Sequence, residues 1–193
     1  MIDKEILLGT LLGDSSLQTY TAGKTWRLRF IQKDKDYLFH LYEIWKPFVK
    51  TEPKLADDGF GNYRWYFNTL VIPELKLFLD ETQIYTCIGG RWVKKVPTLW
   101  PAFSSTLTEK ALAYWFMDDG SKKSNAQAYY LCTDSFSLQD VKFLGSIFIK
   151  NWDIHVGYHK KGENYRIYIP TGSGTKFKHL IDKYVVGTMQ YKL

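Results

Sequence analysis

Two apolar segments of helical length stand out in the hydropathy pattern, one in each half of the chain. They occupy residues 6–12 and 111–117, and an acidic residue closes each of them. Asp14 and Asp119 hold corresponding positions at these ends, 105 residues apart. Self-similarity over such a distance is typical of a duplicated unit. The pattern therefore predicts two apolar helices that are copies of one another.

Two further matches follow in the same order along the chain. Residues 63–67 and 165–169 share the pattern Tyr-Arg-x-Tyr-apolar at an offset of 102. The pair Lys94-Lys95 is matched by Lys192 at an offset of 97 or 98. Three matches at nearly the same offset predict that the whole unit is repeated.

Each unit reads as helix, hairpin, helix, hairpin and helix, which is an α+β arrangement with four antiparallel strands. Strand segments alternate with period two, and the helices between them carry apolar residues at helical spacing. The last helix is expected at about residues 175–186. Turn-forming residues place the hairpin turns near residues 21–24, 57–62, 123–125 and 160–164.

The segment that joins the two units, about residues 86–105, contains two glycines and two prolines. We interpret it as an ordered linker, because Trp92, Trp100 and Phe103 favour burial. The predicted domains are an N-terminal unit with the linker, residues 1–100, and a C-terminal unit, residues 101–193.

Composition narrows the class of protein. The chain is 45% hydrophobic and 24% charged, an ordinary globular balance that excludes a disordered or fibrous chain. Apolar stretches fall short of the roughly 20 residues that span a bilayer, and the first residues do not resemble a secretory signal. Two cysteines are too few for a disulfide framework, so an intracellular, reducing compartment is expected. The net charge of +6 and the aromatic content of 17% are compatible with nucleic-acid binding.

Gly9 and Gly13 lie one helical turn apart in the first apolar helix. Glycine inside a helix costs roughly 1 kcal/mol relative to alanine, so two on one face indicate close approach of a second helix. If the two apolar helices pack in parallel, Asp14 and Asp119 meet at one end. Two neighbouring carboxylates repel, and a bound Mg²⁺ removes that penalty. Such a site can activate water for phosphodiester cleavage, with Lys94 or Lys95, and Lys192, supplying positive charge.

Residues 7–15, Leu-Leu-Gly-Thr-Leu-Leu-Gly-Asp-Ser, and residues 112–120, Leu-Ala-Tyr-Trp-Phe-Met-Asp-Asp-Gly, resemble two copies of the LAGLIDADG motif. The second copy is the closer match, since Ser15 stands where the motif has glycine. Over nearly its whole length the chain is similar to single-chain LAGLIDADG homing endonucleases encoded in group I introns. The resemblance implies two pseudo-symmetric αββαββα units, with the motif helices at the interface and the antiparallel sheets forming a DNA-binding saddle.

The resemblance also implies a monomeric enzyme that cleaves a long double-stranded DNA site with Mg²⁺, for which Mn²⁺ substitutes. By motif position, Asp14 and Asp119 are the metal-binding carboxylates, and Lys192 is the basic residue after the last helix. Either Lys94 or Lys95 is its first-half equivalent. Gln32 stands where the family often has a water-positioning polar residue, with Thr133 or Asp134 as its counterpart. Asp118 is expected to make a polar contact at the helix interface rather than to bind metal.

Strand alternation indicates which side chains face the DNA. The residues expected to read bases in the major groove, where arginine pairs with guanine and amides pair with adenine, are Arg27, Arg29, Arg64, Tyr66, Asn68, Arg166 and Tyr168. The lysines expected to contact phosphates are Lys122, Lys123, Lys160 and Lys161.

Two other functions fit the same resemblance. One is a group I intron maturase, which binds intron RNA on this fold, and the other is a DNA-binding regulator without catalysis. The presence of both Asp14 and Asp119 favours cleavage. The sequence leaves a mitochondrion, a chloroplast and the bacterial cytoplasm open as the compartment.

Overall fold

The two halves of the chain fold into the same succession of elements, as a computed structural model that describes residues 1–57, 59, 61–96 and 101–193 shows. The first half contains α1 (Lys4–Leu12), β1 (Ser16–Gln18), β2 (Arg27–Gln32), α2 (Lys35–Trp45), β3 (Lys54–Asp57), β4 (Tyr63–Asn68) and α3 (Glu74–Thr82). The connecting segment contains β5 (Tyr85–Ile88), β6 (Arg91–Lys94) and α4 (Pro101–Thr106). The second half contains α5 (Glu109–Asp119), β7 (Gly120–Lys122), β8 (Tyr129–Leu131), α6 (Leu138–Trp152), β9 (Gly157–Lys161), β10 (Asn164–Ile169) and α7 (Thr171–Ile181).

The strands form two four-stranded antiparallel sheets of the same topology, in the orders β1-β2-β4-β3 and β7-β8-β10-β9. Each half therefore has the expected αββαββα succession, and the predicted fold is confirmed. Three short 3₁₀ helices follow α2 and α7, at Lys46–Phe48, Asp182–Tyr184 and Gly187–Lys192.

Side-chain caps fix where the two central helices begin. The Asp3 carboxylate accepts the backbone N–H groups of Glu5 and Ile6, each at 3.1 Å, at the start of α1. The Thr108 hydroxyl accepts the N–H of Ala111 at 3.3 Å at the start of α5. These bonds satisfy donors that have no partner inside the helix, and each cap stabilises by about 1 kcal/mol.

Helices α1 and α5 pack side by side and run in the same direction. At their N-terminal ends, Lys110 donates to the Asp3 carboxylate at 2.5 Å. At their C-terminal ends, the backbone N–H of Asp14 donates to the Asp118 carboxyl at 3.1 Å. Contacts at both ends show that the pair is parallel, which brings the two motif ends together as predicted.

Gly9 and Gly13 allow this close approach. A Cβ atom on Gly9 would collide with the carbonyl group of Ala111 and the Cβ of Tyr114. A Cβ atom on Gly13 would collide with the side chain of Asp118. The absence of both side chains therefore sets the separation of α1 and α5.

The inner face of each sheet packs on helices through aromatic side chains. Phe30 on β2 stacks on Phe67 at a centroid distance of 4.7 Å and meets Trp45 of α2 at 5.6 Å. In the second half, Tyr129 on β8 lies 5.1 Å from Phe177 of α7. Burying one such side chain contributes roughly 1.5–3 kcal/mol, so these contacts hold the first sheet against α2 and the second sheet against α7.

The strand register corrects one sequence match. Ser16 and Ser121, both two residues after a motif aspartate, lie opposite Arg29 and Tyr130. Arg29 in turn lies opposite Asn68, and Tyr130 lies opposite Tyr168. Asn68 is therefore equivalent to Tyr168. The match between residues 63–67 and 165–169 is two residues out of register, because similar letters on a strand do not fix its pairing.

The expected hairpin turns are present where they can be followed. Gly23, Asn125 and Gly162 have positive φ values of 88°, 58° and 60°, which suits tight turns. In the turn expected at 57–62, Asp58 and Phe60 lie outside the described residues.

The described part of the connecting segment is ordered, as expected, but it contains a hairpin that was not predicted. Strands β5 and β6 pair as a hairpin around Gly89 and Gly90, both at positive φ. Phe103 is buried as expected. Trp92 is 37% exposed, although its ring packs on that of Trp26 at a centroid distance of 4.8 Å. Trp100 lies outside the described residues, and the domain boundary at residue 100 stays a prediction.

The last helix, α7, begins four residues before the predicted start, at Thr171, and ends at Ile181. Its first turn contains Gly172 and Gly174, and glycine is a poor helix former, so the sequence pattern did not indicate a helix there.

Among the described residues, no helix combines the length and apolar character needed to cross a membrane.

Candidate active site

The two motif acids lie at the joined ends of α1 and α5. Helix α1 ends at Leu12, and Gly13 leaves the helical conformation, whereas α5 continues through Asp119. Asp14 is exposed and Asp119 is half-buried. Burial, and then the negative charge of Asp14, raise the pKa of Asp119 to about 7. The structure thus brings the predicted pair of carboxylates into electrostatic contact.

Lys94, and not Lys95, reaches this end of the helix pair. Its ammonium group donates to the carbonyl oxygen of Gly13 at 2.8 Å. Lys192 makes the equivalent contact in the second half, with the carbonyl oxygens of Met117 at 2.5 Å and Asp118 at 3.1 Å. Lys95 is exposed, since adjacent residues of a strand point to opposite sides. The expectation that left both lysines open is corrected in favour of Lys94.

Each lysine bonds the backbone of its own half, and of the two motif acids Asp14 and Asp119 each is influenced more by the one in the other half, although Asp118 acts on Lys192 more strongly than either. Among the acids that act on Lys94, the charge of Asp119 is the strongest. Lys192 lines a groove that also contains Asp14 and Gln32. Burial lowers the pKa of Lys94 and of Lys192, and the surrounding carboxylates oppose that shift. We call these two arrangements, Asp14 with Lys192 and Asp119 with Lys94, the cross-paired sites.

Asp118 is the half-buried acid between them. Its carboxyl accepts the N–H of Asp14 at 3.1 Å and the side-chain amide of Gln32 at 2.8 Å. Burial, and then the charge of Asp14, hold the pKa of Asp118 well above its usual value. Burial and the neighbouring Asp118 likewise raise the pKa of Tyr37. Asp118 therefore makes the interface contact that the sequence predicted, and Gln32 reaches the site through it.

The donor set suits a hard divalent cation. Asp14 and Asp119 offer carboxylate oxygens. After burial, the charge of Asp14 is the next cause of the raised pKa of Asp119, and a cation between the two would relieve that repulsion. The described residues form no cluster of three or more His, Cys, Asp or Glu side chains. Such a cation would therefore complete its coordination with water and phosphate oxygens, as Mg²⁺ commonly does.

The second half has no copy of the Gln32 contact. By strand register, Thr133 is the counterpart of Gln32, and its hydroxyl donates to the backbone carbonyl of Tyr165 at 2.6 Å. Asp134 instead forms a two-point ion pair with Arg166, at 2.8 and 2.6 Å, which lowers the pKa of Asp134. Because this pairing occupies two of its donors, Arg166 is not the free base-reading side chain that was expected.

Arg27 and Arg29 lie on the outer face of the first sheet, as predicted, since the residues between and after them are buried. Arg27 donates to Gln18 at 3.0 Å and to the Tyr20 hydroxyl at 2.6 Å. The Arg29 guanidinium lies 5.2 Å from the ring centroid of Tyr66. These contacts hold both arginines in extended positions on the sheet surface.

The return strand β4 completes this face. Phe67 is buried and Trp65 packs on helix α2, so Arg64, Tyr66 and Asn68 share the opposite face, as predicted. Arg64 lines the groove near Asp14. The Asn68 Oδ1 atom is shielded from solvent and has no hydrogen-bond partner within the described part of the chain, which leaves an acceptor on the outer face.

The outer face of the second sheet is aromatic. Tyr168 stacks on His159 at 4.2 Å and lies 5.0 Å from Tyr130. The Lys123 ammonium lies 5.6 Å from the Tyr168 ring centroid. Lys161 is exposed on the edge strand β9. Tyr168, Lys123 and Lys161 therefore lie where the sequence placed them.

Two predicted phosphate-binding lysines face the other way. Lys122 pairs with the buried Tyr129, and its ammonium donates to the backbone carbonyl of Leu193 at 2.7 Å. Lys160 pairs with Tyr165, whose ring packs against the core. Opposed residues in an antiparallel pair point to the same side, so both lysines lie on the helix side of the sheet rather than on its outer face.

Several outer-face residues escaped the sequence interpretation. Ser16 and Gln18 flank the buried Leu17, and Tyr130 lies between two buried residues. In each case alternation is the only signal, and a three-residue strand is too short to show it clearly. His159, which stacks on Tyr168, also lies on the outer face.

Comparisons with known proteins agree with this geometry. A family model described as the LAGLIDADG DNA endonuclease family matches residues 4–177. DNA endonuclease I-ChuI of Chlamydomonas applanata is 37% identical, covering 98% of this chain and 93% of that protein. Cytochrome b mRNA maturase bI2 of Debaryomyces hansenii is 29% identical, covering 100% of this chain and 74% of that protein.

A solved structure resembles the whole chain. The homing endonuclease I-WcaI bound to its DNA recognition sequence matches with a TM-score of 0.84 and 25% identity, covering 100% of this chain and 87% of that chain. Since the family model spans most of the chain, and I-ChuI matches nearly its full length, the chain belongs to the LAGLIDADG DNA endonuclease family.

Proposed function

We propose that this protein is a site-specific homing endonuclease that makes a metal-dependent double-strand break in a long DNA target. The observation that carries the proposal is the pair of cross-paired sites at the ends of α1 and α5. Two acids and two lysines meet there, next to two antiparallel sheets whose outer faces carry basic and aromatic side chains.

Asp14 and Asp119 are the residues that would hold the cation, Mg²⁺ or Mn²⁺ in its place. When bound, the cation supplies an activated water and neutralises charge on the phosphate that is cut. The half-buried carboxyl of Asp119 suits this role. Lys94 and Lys192 stabilise its ionised form only in part, so its pKa stays raised and a bound cation would stabilise the carboxylate further.

The chain's own groups contribute charge and orientation. Lys94 and Lys192 are held by backbone carbonyls, so their ammonium groups are already in place when negative charge develops on the phosphate. Gln32, fixed by its bond to Asp118, offers its amide oxygen to a water in the Asp14 groove. Removing a preorganised group of this kind costs about 100-fold or more in rate.

The sheets are the proposed DNA-binding surface. Arg27 and Arg29 on β2 can read guanine in the major groove, whereas Lys123 and Lys161 on the second sheet can contact phosphates. The chemistry of the two faces differs, with arginines on the first and a tyrosine–histidine cluster on the second. We therefore expect an asymmetric target site, bound by a single chain.

Selection from a randomised duplex library tests the proposal. The protein is incubated with the library and Mg²⁺, and cleaved molecules are captured and sequenced. A single long, asymmetric consensus cut on both strands supports a homing endonuclease. Recovery of no cleaved molecules, although the protein binds duplex DNA, would support a regulator without catalysis.

RNA splicing is the second candidate, and the maturase relative of Debaryomyces hansenii favours it. The relevant assay measures self-splicing of a group I intron RNA at low Mg²⁺ with and without the protein. Asp14→Asn separates the activities, since it should abolish DNA cleavage while leaving RNA binding intact.

A further inference from the structure

Asp118 joins parts of the site that belong to different elements. Its Oδ2 atom accepts the backbone N–H of Asp14, just beyond α1, at 3.1 Å. Its Oδ1 atom accepts the side-chain amide of Gln32, at the end of β2, at 2.8 Å. The carboxyl can lie there only because residue 13 is glycine, since a Cβ at that position would overlap it. A residue of the second motif thus organises the site around Asp14.

The reverse contact does not exist. The position of Asp118 in the second motif is that of Gly13 in the first motif, and glycine has no side chain to reach back. Thr133, the counterpart of Gln32, bonds the Tyr165 carbonyl instead. The bridge is therefore one-sided, and the two cross-paired sites are chemically unequal in a way that the duplicated sequence does not suggest.

The bridge also fixes which end of the Gln32 amide enters the groove. The Gln32 Nε2 atom donates to Asp118 Oδ1 at 2.8 Å, so the NH₂ end of Gln32 faces Asp118. The Oε1 atom is then the end left for another donor. Asp14, Gln32 and Lys192 line the same groove, so a water molecule beside a phosphate is a suitable donor there.

We propose that Asp118 is a positioning residue that fixes Gln32 and the backbone of Asp14 for cleavage of one DNA strand, while the other strand is cut without it. The inference rests on the proposed endonuclease activity. It predicts that loss of the bridge uncouples the two strand cuts rather than slowing both.

The first test uses Asp118→Asn, which keeps the shape of the side chain but replaces one acceptor with a donor. A duplex recovered by the library selection is labelled on each strand in turn and cleaved under single-turnover conditions with Mg²⁺. We expect one strand to be cut about 10- to 100-fold more slowly, the other to change by less than about twofold, and nicked DNA to accumulate. Equal slowing of both strands would overturn the inference.

Gln32→Met supplies a second variant of similar size that breaks the bridge from its other end. It should slow the same strand, and the double variant should be no slower than Gln32→Met alone, because the two residues act through one contact. Slowing of opposite strands, or multiplication of the two effects, would contradict the proposal. Asp140→Asn is the control, since it removes a different carboxyl, buried in the cap of α6, and should leave both strand rates unchanged.

A measurement without DNA tests the bridge itself. In ¹⁵N-labelled protein, the Gln32 side-chain amide and the Asp14 backbone amide should shift and lose protection from hydrogen exchange in Asp118→Asn but not in Asp140→Asn. Unchanged signals would overturn the inference even for a protein that cuts no DNA. Failure of the endonuclease proposal is thereby separated from failure of the bridge.

Discussion

The ammonium group of Lys94 lies 2.8 Å from the carbonyl oxygen of Gly13, at the C-terminal end of the first motif helix. This bond satisfies a carbonyl without a helical partner and places a cation where the helix dipole is negative. The neighbouring Lys95 is exposed. We therefore expect Lys94→Met to slow DNA cleavage about 100-fold or more and Lys95→Met to change it by less than about twofold. Similar losses from both substitutions in a plasmid cleavage assay would contradict this assignment.

Removing either motif acid should stop catalysis without releasing DNA. Asp14→Asn and Asp119→Asn each remove one carboxylate from the pair, and metal catalysis is worth several kcal/mol, so we expect at least about a 100-fold loss of cleavage. Binding, measured by gel shift in Ca²⁺, should stay close to wild type. The loss of a metal-binding carboxylate is offset because the remaining site repels the DNA phosphates less. If either variant still cleaves at the wild-type rate, the two-carboxylate site is wrong.

Metal and pH should act together on stability. The pKa of Asp119 is raised to about 7, above its ordinary value of 3.8, so the folded state holds an extra proton between these values. Stability without metal therefore falls as pH rises from about 4 to about 7. A divalent cation should then raise the melting temperature by several degrees more at pH 8 than at pH 5.5.

Calorimetry on Asp119→Asn is the control for that measurement. Because this variant lacks the titrating group, the extra stabilisation by Mg²⁺ at pH 8 should largely disappear. An identical Mg²⁺ effect at both pH values in the wild type would show that Asp119 does not bind the cation.

Lys160 and Lys161 offer a matched pair on one strand. Lys161 lies opposite Asn164, on the side of the sheet that carries Arg166, whereas Lys160 lies opposite Tyr165. Lys161→Ala should weaken binding to all duplexes and reduce the slope of log K against log salt by about 1. Lys160→Ala should change that slope much less. Equal reductions of the slope relative to wild type in the two variants would place both lysines on the DNA.

The helix interface can be tested with two glycines. Gly9→Ala pushes a methyl group into the Ala111 carbonyl, and overpacking of this kind costs about 1–3 kcal/mol. At Gly172, in α7, a Cβ would meet open space, so Gly172→Ala should stabilise by roughly 0.5–1 kcal/mol. Chemical denaturation measures both changes, and a neutral Gly9→Ala would contradict the close approach of α1 and α5.

Much of the fold could be predicted from the sequence, because the duplicated helices and the alternating strands are strong periodic signals. The turns at Gly23 and Asn125 could also be predicted, since turn-forming residues are a local chemical signal. The expected meeting of Asp14 and Asp119 followed from one geometric assumption, parallel packing of two similar helices.

The remaining features depend on pairing, which a single sequence does not display. The hairpin of β5 and β6 was read as a linker because its turn glycines resemble those of any loop. Lys122 and Lys160 were expected to contact phosphates because they lie at hairpin tips or early in strands, but that position does not show which face of the sheet a side chain occupies. The bond from Asp118 to Gln32 joins residues 86 positions apart, beyond the reach of any local pattern.

The one-sided contact of Asp118 across the helix pair bears on protein engineering. In a chimaera that exchanges halves, each half of this chain would supply only part of the contact. A first half with glycine at position 13 and Gln32 needs a partner that brings an acid at position 118. Graft designs that match only the sheets to a new target would separate these three residues, so they should be transferred as a set.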